Sequence, residues 1–332
     1  MQNELVSIII PSYNSGKTIT LCLDAVFNQN YRNREVLVID DGSTDDSPVI
    51  AAGYPCRIYK TPGPRSGPSA ARNLGAQYAE GSILFFIDSD IALYPDAIAN
   101  AVREFAADAS IGSVCGIYAK TPLIKDSLIE EYRTLQGYYW RKSSEGFVTP
   151  MFFSLGAIKK EVFMEIGRLN TDLKDAEDVE YGCRLNRKYK LLLTSSVLGR
   201  HDDEDKLLPA LKKFFERSRY RVPIYIKWGR FMKGFETPAR VMGVLLAACA
   251  LFILPFAFVA PVTVLLSPVL FLLFLLTDIG QYRFVFREKK LFFLLYFMLI
   301  HFIINVNVFL GIVKGTGDWI FSRKFREKFR SL

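Results

Sequence analysis

Leu84-Phe85-Phe86-Ile87-Asp88-Ser89-Asp90-Ile91-Ala92 is the stretch on which the reading of this chain turns. Its first four residues are apolar and bounded on both sides, the pattern of a buried strand. The strand runs directly into Asp88 and Asp90, two carboxylates one residue apart. Open α/β sheets bind ligands at the carboxyl ends of their parallel strands. Hard oxygen donors suit Mg²⁺ or Mn²⁺, ions that hold substrate phosphates through one or two carboxylates. A solvated acidic loop would carry the same residues, so the neighbouring segments must decide.

Upstream, Val6 to Ile10 is an apolar run stopped by Pro11, a first buried strand, followed by the loop Ser12-Tyr13-Asn14-Ser15-Gly16. Lys17 to Asn28 carries Ile19, Leu23, Val26 and Phe27 at helical spacing. A second strand, Glu35 to Ile39, ends in Asp40-Asp41-Gly42-Ser43-Thr44-Asp45, and a third spans Cys56 to Tyr59. A loop rich in glycine and proline, 61–68, then leads into a helix from Ser69 to about Ala79. Alternating strands and helices predict a largely parallel sheet with helices on both faces. Its polar strand ends, with Asp40, Asp41, Asp88 and Asp90, then converge on one cleft. Asp41 has two readings: a local turn residue, or a carboxylate that accepts an N–H of a nucleotide base. Gly67 to Gly75 likewise fits ordinary helix initiation, or an anion site at a helix start with Arg72 as a further donor.

Taken together, Ser7 to Asn14, the Asp40–Asp45 turn, Gly67 to Gly75 and Asp88-Ser89-Asp90 resemble family 2 glycosyltransferases of the GT-A fold. The likeness continues through Gly156 to Phe163 and Ala176 to Glu180, so it covers about residues 5–200. It implies a Rossmann-like α/β domain with a mixed, mostly parallel sheet. It also implies an inverting transferase, a nucleoside-diphosphate sugar and a divalent cation, Mg²⁺ or Mn²⁺. By position, Pro11, Tyr13, Asn14, Asp41, Gly67, Arg72, Asp88 and Ser89 would surround the nucleotide sugar, with Asp41 on the base. Asp90, with Asp88, would hold the metal, and Asp178 would be the catalytic base. His201 is either a metal or phosphate contact, as in some relatives, or a surface loop histidine. The chemistry is consistent: one carboxylate deprotonates an attacking hydroxyl, and a cation neutralises a departing diphosphate. Glu177 and Asp178 are also the acids that a helix dipole favours at its N-terminus.

Two departures from the family pattern shape the expected function. The Q-x-x-R-W pattern of processive synthases is missing, and Phe214 to Arg221 occupies its place, which points to transfer of a single sugar. Leu169 to Lys174 lacks the usual Phe-Asp pair, which bears on the acceptor side.

Beyond residue 240 the chain changes character. Half of the 332 residues are apolar and the mean hydropathy is slightly positive, but the excess lies in 241–313. The sequence divides into a catalytic domain, 1–205, a basic amphipathic segment, 206–238, a transmembrane region, 239–313, and a basic tail, 314–332. Val241 to Thr277 holds no charged residue and is too long for one crossing. Pro255 and Pro261 suggest a break, giving spans of about 239–259 and 262–280, with a third at 291–313. The net charge of +8 clusters at Lys206–Lys233 and Lys314–Arg330, beside apolar segments, which favours lipid headgroups over nucleic acid. Arg217, Arg219 and Arg221 are candidates for a lipid phosphate or the donor diphosphate, on a helix that Pro223 would break. Charge bias wants the head, the 283–290 loop and the tail all cytoplasmic, whereas three crossings put the tail outside. Five cysteines without metal-type spacing read as reduced thiols of a cytoplasmic domain. The segment MQNELVSIII lacks the features of a signal peptide.

The expected protein is an integral membrane transferase with a cytoplasmic catalytic domain. It would move one sugar, from a UDP-sugar, to a hydroxyl of a lipid-linked or membrane-proximal acceptor. The competing readings are a polyprenyl-phosphate acceptor, an inactive nucleotide-sugar-sensing scaffold, and a lipid-carrier translocator. Tyr138, Tyr139 and Trp140 would stack on a sugar or pack in a core.

Overall fold

A computed structural model describes residues 4–173, 175–229 and 237–330. Lys174, before the expected base, and Lys233, in the first basic cluster, lie outside the described residues. The chain forms two compact units, Met1–Asp126 with Trp140–Asp203, and Ser127–Tyr139 with Glu204–Leu332. By sequence alone, 127–139 belongs to the catalytic domain expected over 1–205. In the structure Ile129, Tyr132 and Leu135 bury against Ala210, Tyr282, Phe297 and Ile300 of the second unit.

In the first unit the elements run β1 (Val6–Ser12), α1 (Ile19–Phe27), β2 (Arg34–Asp40), α2 (Ser47–Ala52), β3 (Arg57–Lys60), α3 (Pro68–Tyr78), β4 (Ile83–Ile87), β5 (Ile91–Leu93), α4 (Ala97–Ala107) and β6 (Ile111–Tyr118). After α5 (Leu128–Lys142), whose last turn belongs to this unit, come β7 (Gly146–Phe147), β8 (Leu155–Lys159), α6 (Lys160–Ile166), α7 (Glu177–Leu185) and β9 (Lys190–His201). The strand order is β3-β2-β1-β4-β8-β6-β9-β5, with β7 on β9. The first four strands are mutually parallel. β8 enters antiparallel between β4 and β6, and β6 pairs parallel with β9.

Register places the functional edge. Ile8 pairs with Phe85 and Ile9 with Phe86, while Ser12 pairs with Asp40. The chain therefore leaves β1, β2 and β4 at one edge of the sheet, carrying Ser12–Asn14, Asp40–Asp41 and Asp88–Asp90. Val6, Ile8, Ile9 and Ile10 and all of Leu84–Ile87 are fully buried, as strands covered on both faces require. Gly75 lets α3 press on that sheet: a Cβ there would lie 2.3 Å from Ile9 Cγ2.

One strand differs from its sequence reading. Leu191 to Thr194 is only the start of β9, which continues through Ser195 and Ser196 to His201. An irregularity opposite Gly116 and Ile117 absorbs the polar pair. His201 thus ends a strand, opposite Ile91, rather than sitting in a loop.

The second unit contains α8 (Leu207–Trp228), α9 (Pro238–Phe252), a 3₁₀ turn at Leu254–Phe258, α10 (Thr263–Thr277), α11 (Ile279–Phe321) and α12 (Arg323–Glu327). Two expectations are corrected here. α8 passes through Pro223 as one helix. The basic stretch 283–290 is helical rather than a loop, and α11 is two helices, 279–289 and 291–321, that meet at non-helical backbone at Lys290 (φ 65°, ψ −170°), so the apolar stretch 291–313 opens a helix of its own, as expected. The uncharged run folds as two 15-residue helices, α9 and α10, on either side of the segment holding Pro255 and Pro261. By length and composition Pro238–Phe258 and Ile279–Phe321 suffice to cross a membrane, whereas Thr263–Thr277 is shorter. Large apolar side chains stay exposed, Phe258 at 96% and Phe292 at 90%, as lipid-facing residues do.

Candidate active site

The site begins with the turns after β1 and β2, which are laced together. Asn14 (φ 48°) receives the Thr44 N–H at 2.8 Å through its side-chain oxygen, and donates its own N–H to Ser43 Oγ at 3.0 Å. The Asp45 carboxylate takes the Gly16 N–H at 2.8 Å. Asp41 is buried and clasps the loop before α3. It accepts Thr61 Oγ1 at 2.7 Å and the N–H groups of Ser66 and Gly67 at 2.8 Å each. Gly67 adopts φ 91°, a region that favours glycine. Opposite, Arg65 donates Nε to the Tyr13 hydroxyl at 2.5 Å and lies 5.1 Å from its ring centre. Pro11 and Tyr13 are half-buried beside it. These residues tie the turns after β1 and β2 to the loop before α3, with both Asp41 carboxylate oxygens taken by that loop.

The second cluster joins segments far apart in sequence. Arg72, on α3, is 4% exposed. One guanidinium nitrogen reaches Asp88 Oδ1 at 2.7 Å and another reaches Glu177 Oε1 at 3.4 Å. Burial disfavours its charge, but Asp88 and Glu177 outweigh that and hold it firmly protonated. One buried arginine therefore ties the end of β4 to the start of α7, where Asp178 stands half-exposed and receives the Val179 N–H at 2.7 Å. Glu177 is buried against Arg72, and Asp178 beside it is the more exposed of the two acids.

The third cluster surrounds His201. Its Nε2 lies 3.5 Å from Asp90 Oδ2 and its Nδ1 lies 3.3 Å from Asp203 Oδ2. The ring stacks on Tyr118 at 4.4 Å, and Arg141 covers the Tyr118 ring at 3.8 Å. Burial opposes the imidazolium, but Tyr118, Asp90 and Asp203 overcome it and raise the group well above its ordinary value. Nearby, Lys17 bridges Asp126 at 2.5 Å and Asp202 at 3.1 Å. The Asp126 hydrogen bond, then Asp202, pushes its ammonium up.

Among the described residues no group of three or more His, Cys, Asp or Glu is arranged to hold an ion by itself. Mg²⁺ and Mn²⁺ sites of the substrate-phosphate type need only one or two protein donors. Asp90 and His201 supply an oxygen and a nitrogen at a separation that two ligands of one ion can take. Asp203 on the other ring nitrogen is the usual orienting partner of a metal-binding histidine. The donor set fits a divalent cation that substrate oxygens complete. Asp88 gives one oxygen, Oδ1, to Arg72.

The structure thus brings Asp88, Ser89, Asp90, Arg72, Asp178 and His201 to one sheet edge, with Pro11, Tyr13, Asn14, Asp41 and Gly67 on the adjoining turns. Arg217, Arg219 and Arg221 belong to the second unit. There Arg219 is bound to Asp318 at 2.6 Å and Glu216 at 3.0 Å. Tyr138 and Tyr139 stack on Phe284 of the same unit at 5.6 Å, which is the packing alternative. Sequence reasoning missed Lys17, Tyr118 and Asp203. Only the acids directly after His201 offered a signal.

Residues 7–167 match the family model described as Glycosyl transferase family 2. The chain is 28% identical over 182 residues to Glycosyltransferase GlyG of Streptococcus pneumoniae, covering 49% of this chain and 60% of that protein. It is 34% identical over 113 residues to a chondroitin synthase of Pasteurella multocida, covering 33% of this chain and 12% of that one. The chain therefore spans less than two thirds of the length of either relative, about 60% of one and 12% of the other. Among solved structures, the mannosyltransferase PcManGT of Pyrobaculum calidifontis, in complex with GDP-Man and Mn²⁺, aligns over 94% of this chain and 87% of its own. The TM-score is 0.59 and the identity 21%, a likeness of fold.

Proposed function

From the premise that this chain is a family 2 glycosyltransferase, we propose that it transfers a single sugar, with inversion, from a nucleoside-diphosphate sugar to a hydroxyl presented at a membrane surface. A uridine diphosphate donor is the first choice, and a guanosine diphosphate donor, as in the PcManGT complex, the second. The observation that carries the reading is Arg72 bridging Asp88 and Glu177, because it fixes the Asp178 backbone relative to the acidic end of β4.

Tyr13, Arg65 and the turn held by Asp41 would receive the base and ribose. Asp90 and His201 would hold a divalent cation, which when bound supplies positive charge against the diphosphate. Asp203 keeps the His201 ring oriented. Asp178 takes the proton of the acceptor hydroxyl as the oxygen attacks from the face opposite the departing diphosphate. The exposed apolar surface of the second unit keeps the enzyme at the bilayer, where the acceptor is concentrated. The catalytic unit faces the cytoplasm, where nucleotide sugars are made.

The test is transfer from radiolabelled UDP- and GDP-sugars into membranes, with Mn²⁺, Mg²⁺ or chelator, for wild type and Asp178→Asn. Acid-stable lipid label that needs the cation and disappears in Asp178→Asn supports a hydroxyl acceptor. Acid-labile label that survives the substitution would show a phosphate acceptor, which is already ionised and needs no base. Binding of nucleotide sugar without turnover of any acceptor would favour the sensing scaffold.

A further inference from the structure

We propose that the second helix of α11, residues 291–321, does not cross the bilayer. It lies in the interface beside α8, so the basic tail stays on the same side of the bilayer as residue 205, just before α8. The occupant of the exposed apolar face is one leaflet with anionic headgroups. The inference goes beyond the transferase reading and does not depend on the sugar, the donor or Asp178.

α8 and the second helix of α11 are paired in contact along their length. Asn307 Nδ2 donates to the Leu211 carbonyl at 2.7 Å. One turn on, Gly311 meets Phe215 and Ser218; another turn on, Gly315 meets Arg219. The pairs Leu211–Asn307, Phe215–Gly311 and Arg219–Gly315 keep a constant sequence offset, so the two helices run parallel in fixed register. Their backbones touch. A Cβ on Gly311 would lie 2.0 Å from Ser218 Oγ and 2.6 Å from the Phe215 carbonyl, and one on Gly315 would lie 2.4 Å from the Arg219 carbonyl. Small residues four apart permit such close approach. Arg219 closes the seam on Asp318 at 2.6 Å.

Fixed register means equal depth. Whatever depth residues 307–315 of α11 occupy, residues 211–219 of α8 share. That part of α8 carries Lys212, Lys213, Glu216, Arg217 and Arg219. Charges of that number are excluded from hydrocarbon. The apolar stretch that looks like a span is therefore shortened to about 291–306, roughly 24 Å of helix at 1.5 Å per residue. That falls short of a core of about 30 Å. Even this part is largely occupied, since Phe297, Ile300 and Ile304 bury against Tyr132 and Ala210. Lys289 at its start pairs with Glu131 at 3.4 Å.

The rest of the unit agrees. Ser267 Oγ donates to the Ala250 carbonyl at 2.7 Å, so α9 and α10 form a hairpin that returns the chain to the side it left. Its turn exposes Phe258, Val259 and Val262 for insertion into lipid. The remaining exposed face of α11 is apolar, with Phe292, Leu295 and Leu299, and Arg323, Lys324 and Arg326 follow it. An amphipathic helix lying in the headgroup boundary has this pattern. It also removes the conflict between charge bias and three crossings, because only the hairpin enters the core.

The test uses the full chain in sealed vesicles of one orientation. Asp205→Cys and Lys324→Cys, in a background lacking the exposed Cys249, are treated with a membrane-impermeant maleimide. The proposal expects both to label, or both to be protected, in the same vesicles, and expects opposite protection for neither. Labelling of one and protection of the other would overturn it. A protease-cleavable C-terminal epitope on the otherwise unaltered chain gives the same answer without cysteine replacement. A fluorophore at Leu299→Cys is expected to be quenched by shallow spin-labelled lipid at least threefold more than by mid-bilayer label, and the reverse at Phe258→Cys. Deep quenching at both, or recovery of the chain from the soluble fraction as an oligomer whose second copy covers the apolar face, would refute it.

Discussion

Charged side chains are used in opposite ways in the two units. In the first, acids from β4, α7 and β9 and an arginine from α3 are gathered at one sheet edge. Asp178 and Asp90 remain half-exposed there. In the second, the charge on the α8–α11 seam is consumed internally, Arg219 by Glu216 and Asp318, while apolar side chains such as Phe258 and Phe292 face outward. The first arrangement keeps polar groups available for a reacting molecule. The second keeps them off the exposed apolar surface. Asp and Arg therefore mean different things in the two halves, and a substitution should be read by its unit.

The contrast is broken most severely at Asp178. Asp178→Asn removes the proposed base but no buried partner, so kcat should fall by about 10²–10⁴-fold with the melting temperature unchanged. Arg72→Ala should damage both activity and fold. It leaves Asp88 and Glu177 facing each other without their cation. The stability cost is about 3 kcal/mol, the low end for a broken buried pair, because the Asp88 side chain is 31% exposed; thermal denaturation measures it. Asp203→Asn tests the orientation of His201 and should weaken Mn²⁺ activation by about 10–100-fold, read from the metal concentration at half-maximal rate. Gly315→Leu places a side chain against the Arg219 backbone. Overpacking of about 1–3 kcal/mol should lower the yield of intact protein extracted from membranes. At the far end, Lys188→Ala removes only a surface pair with Glu165 and should leave rate and melting within error.

Legibility in the sequence follows the same division. The first strands were readable because β1, β2 and β4 are short, apolar and bounded by turn residues. The acidic edge was readable because strand ends in such sheets point one way. β9 was under-read, since Ser195-Ser196 looks like a terminus and only pairing across Gly116 and Ile117 shows that it continues. The Arg72 bridge was invisible, because its partners lie 16 and 105 residues away and nothing local announces either contact. The second unit was legible in composition but not in architecture. Hydropathy sees the 291–313 stretch, but not that Gly311 and Gly315 lock it to a charged helix. Residues 127–139 carried no local mark that Tyr132 would bond His301 (3.0 Å between Tyr132 Oη and His301 Nδ1), 169 positions away.

The central claim is that the acids joined through Arg72 serve one transfer reaction, donor on one side and base on the other. Its most direct test is steady-state kinetics of wild type and Asp178→Asn with a hydroxyl acceptor under saturating Mn²⁺, following donor KM and kcat separately. The account predicts a donor KM within about twofold of wild type and a kcat lower by at least about 10². An unchanged kcat, or a loss confined to donor KM, would contradict it and remove Asp178 from the chemistry.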